Sequence, residues 1–89
     1  MSESGVVMYA ADWCPYCQRA RRLLTEKGVS FKEIDVEAEP RAREEMIQRS
    51  GRATVPQIFI GNIHVGGSDD LYALEAAGRL EPMLKELTS

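Results

Sequence analysis

The sequence predicts an α/β fold in which helices flank a four-stranded mixed sheet, in the order β-α-β-α-β-β-α-α. Three observations carry that expectation. A short apolar run from Val6 to Ala11 hands over to a segment of helical periodicity and then to a second strand-like segment, the pattern of a βαβ unit. Two further strand-like segments, Gln57 to Ile60 and Ile63 to Val65, flank Gly61-Asn62, a two-residue hairpin signal. Glycine or proline punctuates the boundaries, at Gly28, Pro40, Gly51 and the Gly66-Gly67 pair.

Each element has its own reason. Gly5 to Ala10 is rich in strand formers and apolar throughout, as a strand buried on both faces should be. From Pro15 the spacing turns helical, with Ala20, Leu23 and Leu24 on one face and Gln18, Arg19, Arg22 and Glu26 on the other; Gly28 is the stop. Ser30 to Val36 is a second strand of imperfect alternation. Pro40 suits the first turn of the next helix, where its missing N–H costs nothing; Ala42, Met46 and Ile47 give that helix its apolar stripe, and Gly51 ends it. After the hairpin, Ser68, Asp69 and Asp70 are placed to cap a helix carrying Leu71 and Leu74. Gly78 interrupts it, and Leu80, Met83, Leu84 and Leu87 predict a short final helix. The first two strands should be parallel and the last two antiparallel.

Length and composition bound the function. Eighty-nine residues predict a single domain over 1–89, with no repeat and no dividing linker. A net charge of −3 lacks the basic footprint of a nucleic-acid binder. The longest apolar run is far too short to span a membrane, and the acidic, polar start matches neither a secretory nor a transit peptide. The expected protein is soluble and cytoplasmic, without nucleic-acid or membrane partners.

The two cysteines are the most informative residues. They stand as Cys14-Pro15-Tyr16-Cys17, too few for a disulfide framework. With one histidine in the chain they do not readily make a four-ligand zinc site, so no metal is expected. Cys14 falls where the first strand meets the first helix. Unpaired N–H groups and the positive end of the helix dipole stabilise a thiolate there. Cys17, one turn inside, should be less exposed. Cys14 is therefore the expected attacking thiol and Cys17 the one that resolves the mixed disulfide.

Taken with Thr54-Val55-Pro56, the strand from Gln57 to Ile60, and Gly66-Gly67-Ser68-Asp69-Asp70, the Cys14-to-Cys17 motif resembles the dithiol glutaredoxins of the small bacterial type, over roughly residues 6–87. The resemblance implies a thioredoxin-like fold and glutathione-dependent reduction of protein disulfides and protein–glutathione mixed disulfides. It implies glutathione as reducing co-substrate and as partner, a monomer, and disulfide-containing or glutathionylated proteins as further partners, ribonucleotide reductase being one family-level candidate. It also implies a glutathione site. Val55 and Pro56 would form a cis-proline turn whose backbone pairs with glutathione as an added strand beside Cys14, with Thr54 adjoining. Gly67, Ser68 and Asp69 would receive the γ-glutamyl end at a helix N-terminus. Arg43 would hold the glycyl carboxylate with its guanidinium fork, and Tyr16 would flank the ligand's sulfur. Trp13 is expected to serve in packing, and His64 to stand on an edge strand without a catalytic role.

One position departs from the family. Lysine is usual three residues before the nucleophile, and here that residue is Ala11, followed by Asp12, whose carboxylate disfavours a neighbouring thiolate. The helix terminus then supplies more of the stabilisation of Cys14. Two other readings of the motif are a redoxin fed directly by thioredoxin reductase and a carrier bridging an iron–sulfur cluster between two copies. Arg43 and the Gly-Gly-Ser-Asp segment favour glutathione over the first. Pro15, more rigid than the residue similar cluster binders mostly carry, disfavours the second.

Overall fold

The computed structural model describes residues 5–87. Eight elements follow one another: β1 (Val6–Ala10), α1 (Pro15–Glu26), β2 (Phe31–Asp35), α2 (Pro40–Ser50), β3 (Gln57–Ile60), β4 (Ile63–Gly66), α3 (Ser68–Ala76) and α4 (Leu80–Glu86). The strands form one mixed sheet in the order β2-β1-β3-β4. β1 runs parallel to β2 and antiparallel to β3, and β3 and β4 form the antiparallel hairpin. This is the order and pairing that the sequence predicts.

Position in the sheet explains composition. β1 and β3 are central and covered on both faces, so they are buried almost throughout, and apolar apart from Gln57 at the start of β3. β2 and β4 are edges and carry the polar residues. Successive side chains of the central strands point to opposite faces. Val6, Met8 and Ala10 of β1 and Ile58 and Ile60 of β3 pack with Cys17, Ala20, Leu23 and Leu24 of α1, Leu71 of α3, and Leu80 and Leu84 of α4. On the other face Tyr9 and Phe59 meet Ala42 and Met46 of α2 together with Val36. The sheet is thus covered by α1, α3 and α4 on one side and by α2 on the other. No helix among the described residues is long and apolar enough to cross a membrane.

Some expectations need correction. Ile47 belongs to the helical spacing of α2 but lies outward and exposed, because Ala42 and Met46 alone fill the narrow contact with Tyr9 and Phe59. Met83 is only partly buried, at the margin of the core. Ser68 is the first residue of α3 rather than its cap; the cap is Gly67. In the hairpin Gly61 takes φ +61°, as its turn requires. A register shift follows, since Ile58 pairs with Gly66 while Phe59 pairs with His64, so Val65 is bulged out of the ladder.

The topology gathers four chain segments at one end of the sheet. The C-terminal ends of β1, β2 and β4 and the N-terminal end of β3 all lie there. The segments attached to them are 11–14, 36–39, 53–56 and Gly66-Gly67. Leu24 lies in the core under this arrangement. Leu24→Ala is expected to lower unfolding stability by about 2–5 kcal/mol. The exposed Arg22→Ala should change it by less than about 0.5 kcal/mol. Urea denaturation followed by circular dichroism reads both.

Candidate active site

Cys14 is the N-cap of α1, with extended backbone (φ −84°, ψ 115°). Its Sγ accepts a hydrogen bond from the Cys17 backbone N–H at 3.4 Å. The role that Ser or Asp oxygens usually play at a helix start is here performed by sulfur. Pro15 follows at the first helical position. On its other side the Cys14 thiol points at the Val55 carbonyl oxygen, 3.8 Å away. Cys14 is only 2% exposed, against the expectation of an exposed attacker. The reason is this inward hold between helix terminus and carbonyl. The exposed surface around it belongs to Trp13 and Tyr16, at 65% and 54%. Trp13 is accordingly a rim residue and not a packing one, and its indole N–H donates to Glu37 Oε2 at 2.6 Å.

Cys17 lies fully buried behind Cys14. Burial pushes its thiol up to about 12; a hydrogen bond with the Ala11 backbone pulls the other way, and the hydrogen bond and charge of Cys14 add to the rise. Both cysteines are free thiols. Ala11, where a lysine was the family expectation, is buried and uses its carbonyl to accept from the Cys14 N–H at 3.3 Å.

The Val55–Pro56 peptide bond is cis. Thr54 next to it accepts through both its carbonyl and Oγ1 from Gln57 Nε2, at 3.1 and 3.2 Å. Arg43, exposed on α2, donates through Nη2 to the Ala53 carbonyl at 3.3 Å, so its guanidinium stands against the same segment. Gly67 abuts Pro56, since a Cβ there would sit 3.5 Å from the Pro56 carbonyl oxygen. Its N–H donates to Asp70 Oδ2 at 3.0 Å, and Asp70 in turn lies 3.6 Å from Arg52. Gly66 has φ +117°, and a side chain there would collide with the Asp70 carboxylate, so only glycine fits. Contacts therefore connect Cys14 with Cys17 and Val55, Arg43 with Ala53, and Pro56 with Gly67. Ser68 is buried in the first turn of α3 and Asp69 is exposed beside it. Tyr16 is exposed on the first turn of α1. Among the described residues no group of three or more His, Cys, Asp or Glu side chains is disposed to hold a metal ion.

A glutaredoxin family model matches residues 6–65. The chain belongs to the glutaredoxin family. Glutaredoxins are glutathione-dependent thiol–disulfide oxidoreductases, and this chain is one. It is 57% identical over 82 residues to glutaredoxin 3 of Escherichia coli K12, covering 92% of this chain and 99% of that protein. Among solved structures it is similar to the glutaredoxin of Brucella melitensis, at 56% identity and a TM-score of 0.81, covering 96% of this chain and 92% of that one. It is also similar to a buckwheat glutaredoxin–glutathione complex, at 31% identity and a TM-score of 0.87, covering 93% of this chain and 78% of that one. These neighbours share the thioredoxin-like architecture.

Sequence reasoning missed two contacts at this glutaredoxin's site. The Trp13–Glu37 bond joins the rim to the segment after β2. The buried Gln57 joins Thr54 to His64, whose Nε2 lies 2.7 Å from Gln57 Oε1. The signal for the second was present: a glutamine opening the otherwise apolar run Gln57 to Ile60 needs partners once buried. His64 does stand on the edge strand β4, and burial and then the Arg52 charge hold its ring below the ordinary histidine range, opposed by Asp70.

The asymmetry between the thiols has a direct readout. At neutral pH iodoacetamide should modify Cys14 alone, and Cys17 should react only after unfolding. Peptide mapping by mass spectrometry decides it, and equal labelling of native Cys17 would contradict its raised pKa and its place behind Cys14.

Proposed function

We propose that Cys14 is the nucleophile and Cys17 the resolving thiol of this glutaredoxin. The observation that carries the reading is the Cys17 N–H held on Cys14 Sγ, with the Cys17 thiol kept protonated behind it. In the one-thiol route the Cys14 thiolate attacks the glutathionyl sulfur of a protein–glutathione mixed disulfide. The S–S bond breaks, the protein thiolate leaves, and a Cys14–glutathione disulfide forms. A second glutathione thiolate attacks that sulfur, releasing oxidised glutathione and restoring Cys14. In the two-thiol route Cys14 forms a mixed disulfide with a protein substrate. Cys17 then attacks Cys14 sulfur, releasing the reduced protein and leaving a Cys14–Cys17 disulfide for two glutathione molecules to reduce.

The first step also prepares the second. Burial raises the Cys17 thiol most, and the hydrogen bond and charge of Cys14 add to the rise. A Cys14 sulfur bound in a disulfide carries no charge, so Cys17 ionises more readily once it is needed.

The same reading assigns the glutathione site. The Val55 backbone beside Cys14 pairs with the tripeptide as an added strand, with Thr54 and Pro56 shaping the edge. Arg43 receives the glycyl carboxylate. The helix start at Gly67, Ser68 and Asp69 receives the γ-glutamyl carboxylate through the N–H groups of Ser68 and Asp69, the Gly67 N–H being held by Asp70, and Tyr16 walls the sulfur. Support comes from the contacts of Arg43 with Ala53 and of Gly67 with Pro56. The protein acts as a single-domain monomer in the cytoplasm, contributing electrons to redox homeostasis, with glutathionylated and disulfide-forming proteins as substrates, ribonucleotide reductase among them. No resident metal takes part.

Two experiments test this. Cys14→Ser should abolish all activity. Cys17→Ser should keep reduction of glutathione mixed disulfides and lose most reduction of protein disulfides, because only the latter needs an intramolecular resolver; loss of both activities sinks the assignment. Arg43→Ala should raise the KM for glutathionylated substrate about tenfold, equivalent to ~1.4 kcal/mol, with kcat nearly unchanged, since the contact is made equally in ground and transition states. An unchanged KM makes Arg43 a surface charge only.

A further inference from the structure

Behind the cis-proline segment lies a chain of side-chain hydrogen bonds that the reaction as described does not use. Gln57 is 1% exposed, at the first position of β3. Its Nε2 faces two acceptors, the Thr54 carbonyl at 3.1 Å and Thr54 Oγ1 at 3.2 Å. Its Oε1 faces His64 Nε2 at 2.7 Å. The pairing of Phe59 with His64, and the bulge that follows at Val65, put the histidine on the same sheet face as Gln57. There its ring lies on Phe59, with centroids 4.9 Å apart.

The direction of the chain follows from its end. The Thr54 carbonyl can only accept, so Gln57 must present its amide NH2 to Thr54 and its carbonyl to His64. The opposite amide orientation would set two carbonyl oxygens against each other. His64 must then donate through Nε2, and its neutral form must carry the proton there and not on Nδ1. One direction runs through all three residues, from His64 to Gln57 to Thr54.

We propose that Gln57 and His64 are positioning residues that fix the backbone of Thr54 and Val55 in the register that glutathione pairs with. The inference rests on the glutathione site assigned above. Neither residue touches the substrate. Gln57 holds the Thr54 carbonyl and hydroxyl from the inside, and His64 holds Gln57, so the Val55 edge beside Cys14 is set before ligand arrives. A preset edge spares the ordering cost of binding. The effect belongs to glutathione recognition and not to sulfur chemistry at Cys14.

The test uses the whole protein and two peptide substrates, one glutathionylated and one carrying a cysteamine disulfide, which lacks the peptide backbone that would pair with Val55. Gln57→Met keeps length and burial and removes both donors. His64→Phe keeps the ring on Phe59 and removes the donor, and His64→Gln returns one. Gln57→Met should raise the KM for the glutathionylated peptide about fivefold to tenfold, with kcat and the cysteamine reaction within about twofold of wild type. His64→Phe should do the same more weakly, and His64→Gln should restore the wild-type value. Nitrogen chemical shifts of wild-type His64 should show the neutral ring protonated on Nε2, a readout that holds even if Gln57→Met does not fold. A proton on Nδ1, an unchanged glutathionyl KM in Gln57→Met and His64→Phe, or an equal rise for both peptides overturns the proposal. If the wild-type enzyme itself fails to prefer the glutathionylated peptide, the glutathione site is wrong and the proposal falls with it. That result is distinct from a preference that survives the variants.

Discussion

The hydrogen bond from the Cys17 N–H to Cys14 Sγ is the contact on which the rest of this site depends. A helix begins with N–H groups that have no partner inside it. Here the partner is a sulfur atom, so the residue that starts α1 is also the one proposed as the nucleophile. This ties chemistry to architecture. The sulfur cannot be moved without uncapping the helix, and the helix cannot be shifted without moving the sulfur. α1 itself is anchored through Ala20, Leu23 and Leu24 to β1 and β3, so the core of the molecule fixes the place of a single atom at its end.

The sheet order supplies everything else that meets that atom. Because β1 is parallel to β2 and antiparallel to β3, the connections leaving β1 and β2 and the one entering β3 share an end. The β3–β4 hairpin then returns Gly66 to the same end. Glu37 reaches Trp13, the Val55 carbonyl reaches Cys14, and Pro56 meets Gly67 for this one topological reason. Irregular segments on a rigid sheet can carry the chemistry without loosening it.

Much of this is legible in the sequence because the signals are local. The central strands announce themselves as apolar runs, β3 opened by Gln57, the hairpin by Gly61-Asn62, and the position of Cys14 by the strand-to-helix switch around Pro15. What is not legible depends on distant partners. Nothing around Cys14 in the chain says that Val55, 41 residues on, lies against it; only the family resemblance puts the two together. Trp13 looks like core by composition but is exposed, its indole bonded to Glu37, 24 residues away. Ile47 fits the spacing of α2, but how wide a stripe a helix buries is decided by the residues facing it. The cap of α3 is Gly67, whose N–H Asp70 reaches back to accept, while the sequence also offers Ser68 and Asp69 for that place.

The acidic start of α3 poses the sharpest electrostatic question for a ligand that is itself anionic. Asp69 and Asp70 both lie in its first turn, where negative charge is favoured by the helix dipole and would repel a carboxylate arriving from outside. Asp70 is already committed: it accepts the Gly67 N–H, blocks any side chain at Gly66, and lies 3.6 Å from Arg52. Its charge is therefore partly offset, and the Gly67 donor is taken. On the glutathione site proposed above, the γ-glutamyl carboxylate uses the donors of Ser68 and Asp69, and the free α-amino group of the same moiety meets the exposed Asp69. The zwitterionic end of glutathione matches both charges at once, whereas a simple anion matches only one. On the glutathione site proposed above, a helix terminus furnished with its own carboxylates favours an amino acid headgroup over a bare carboxylate or phosphate.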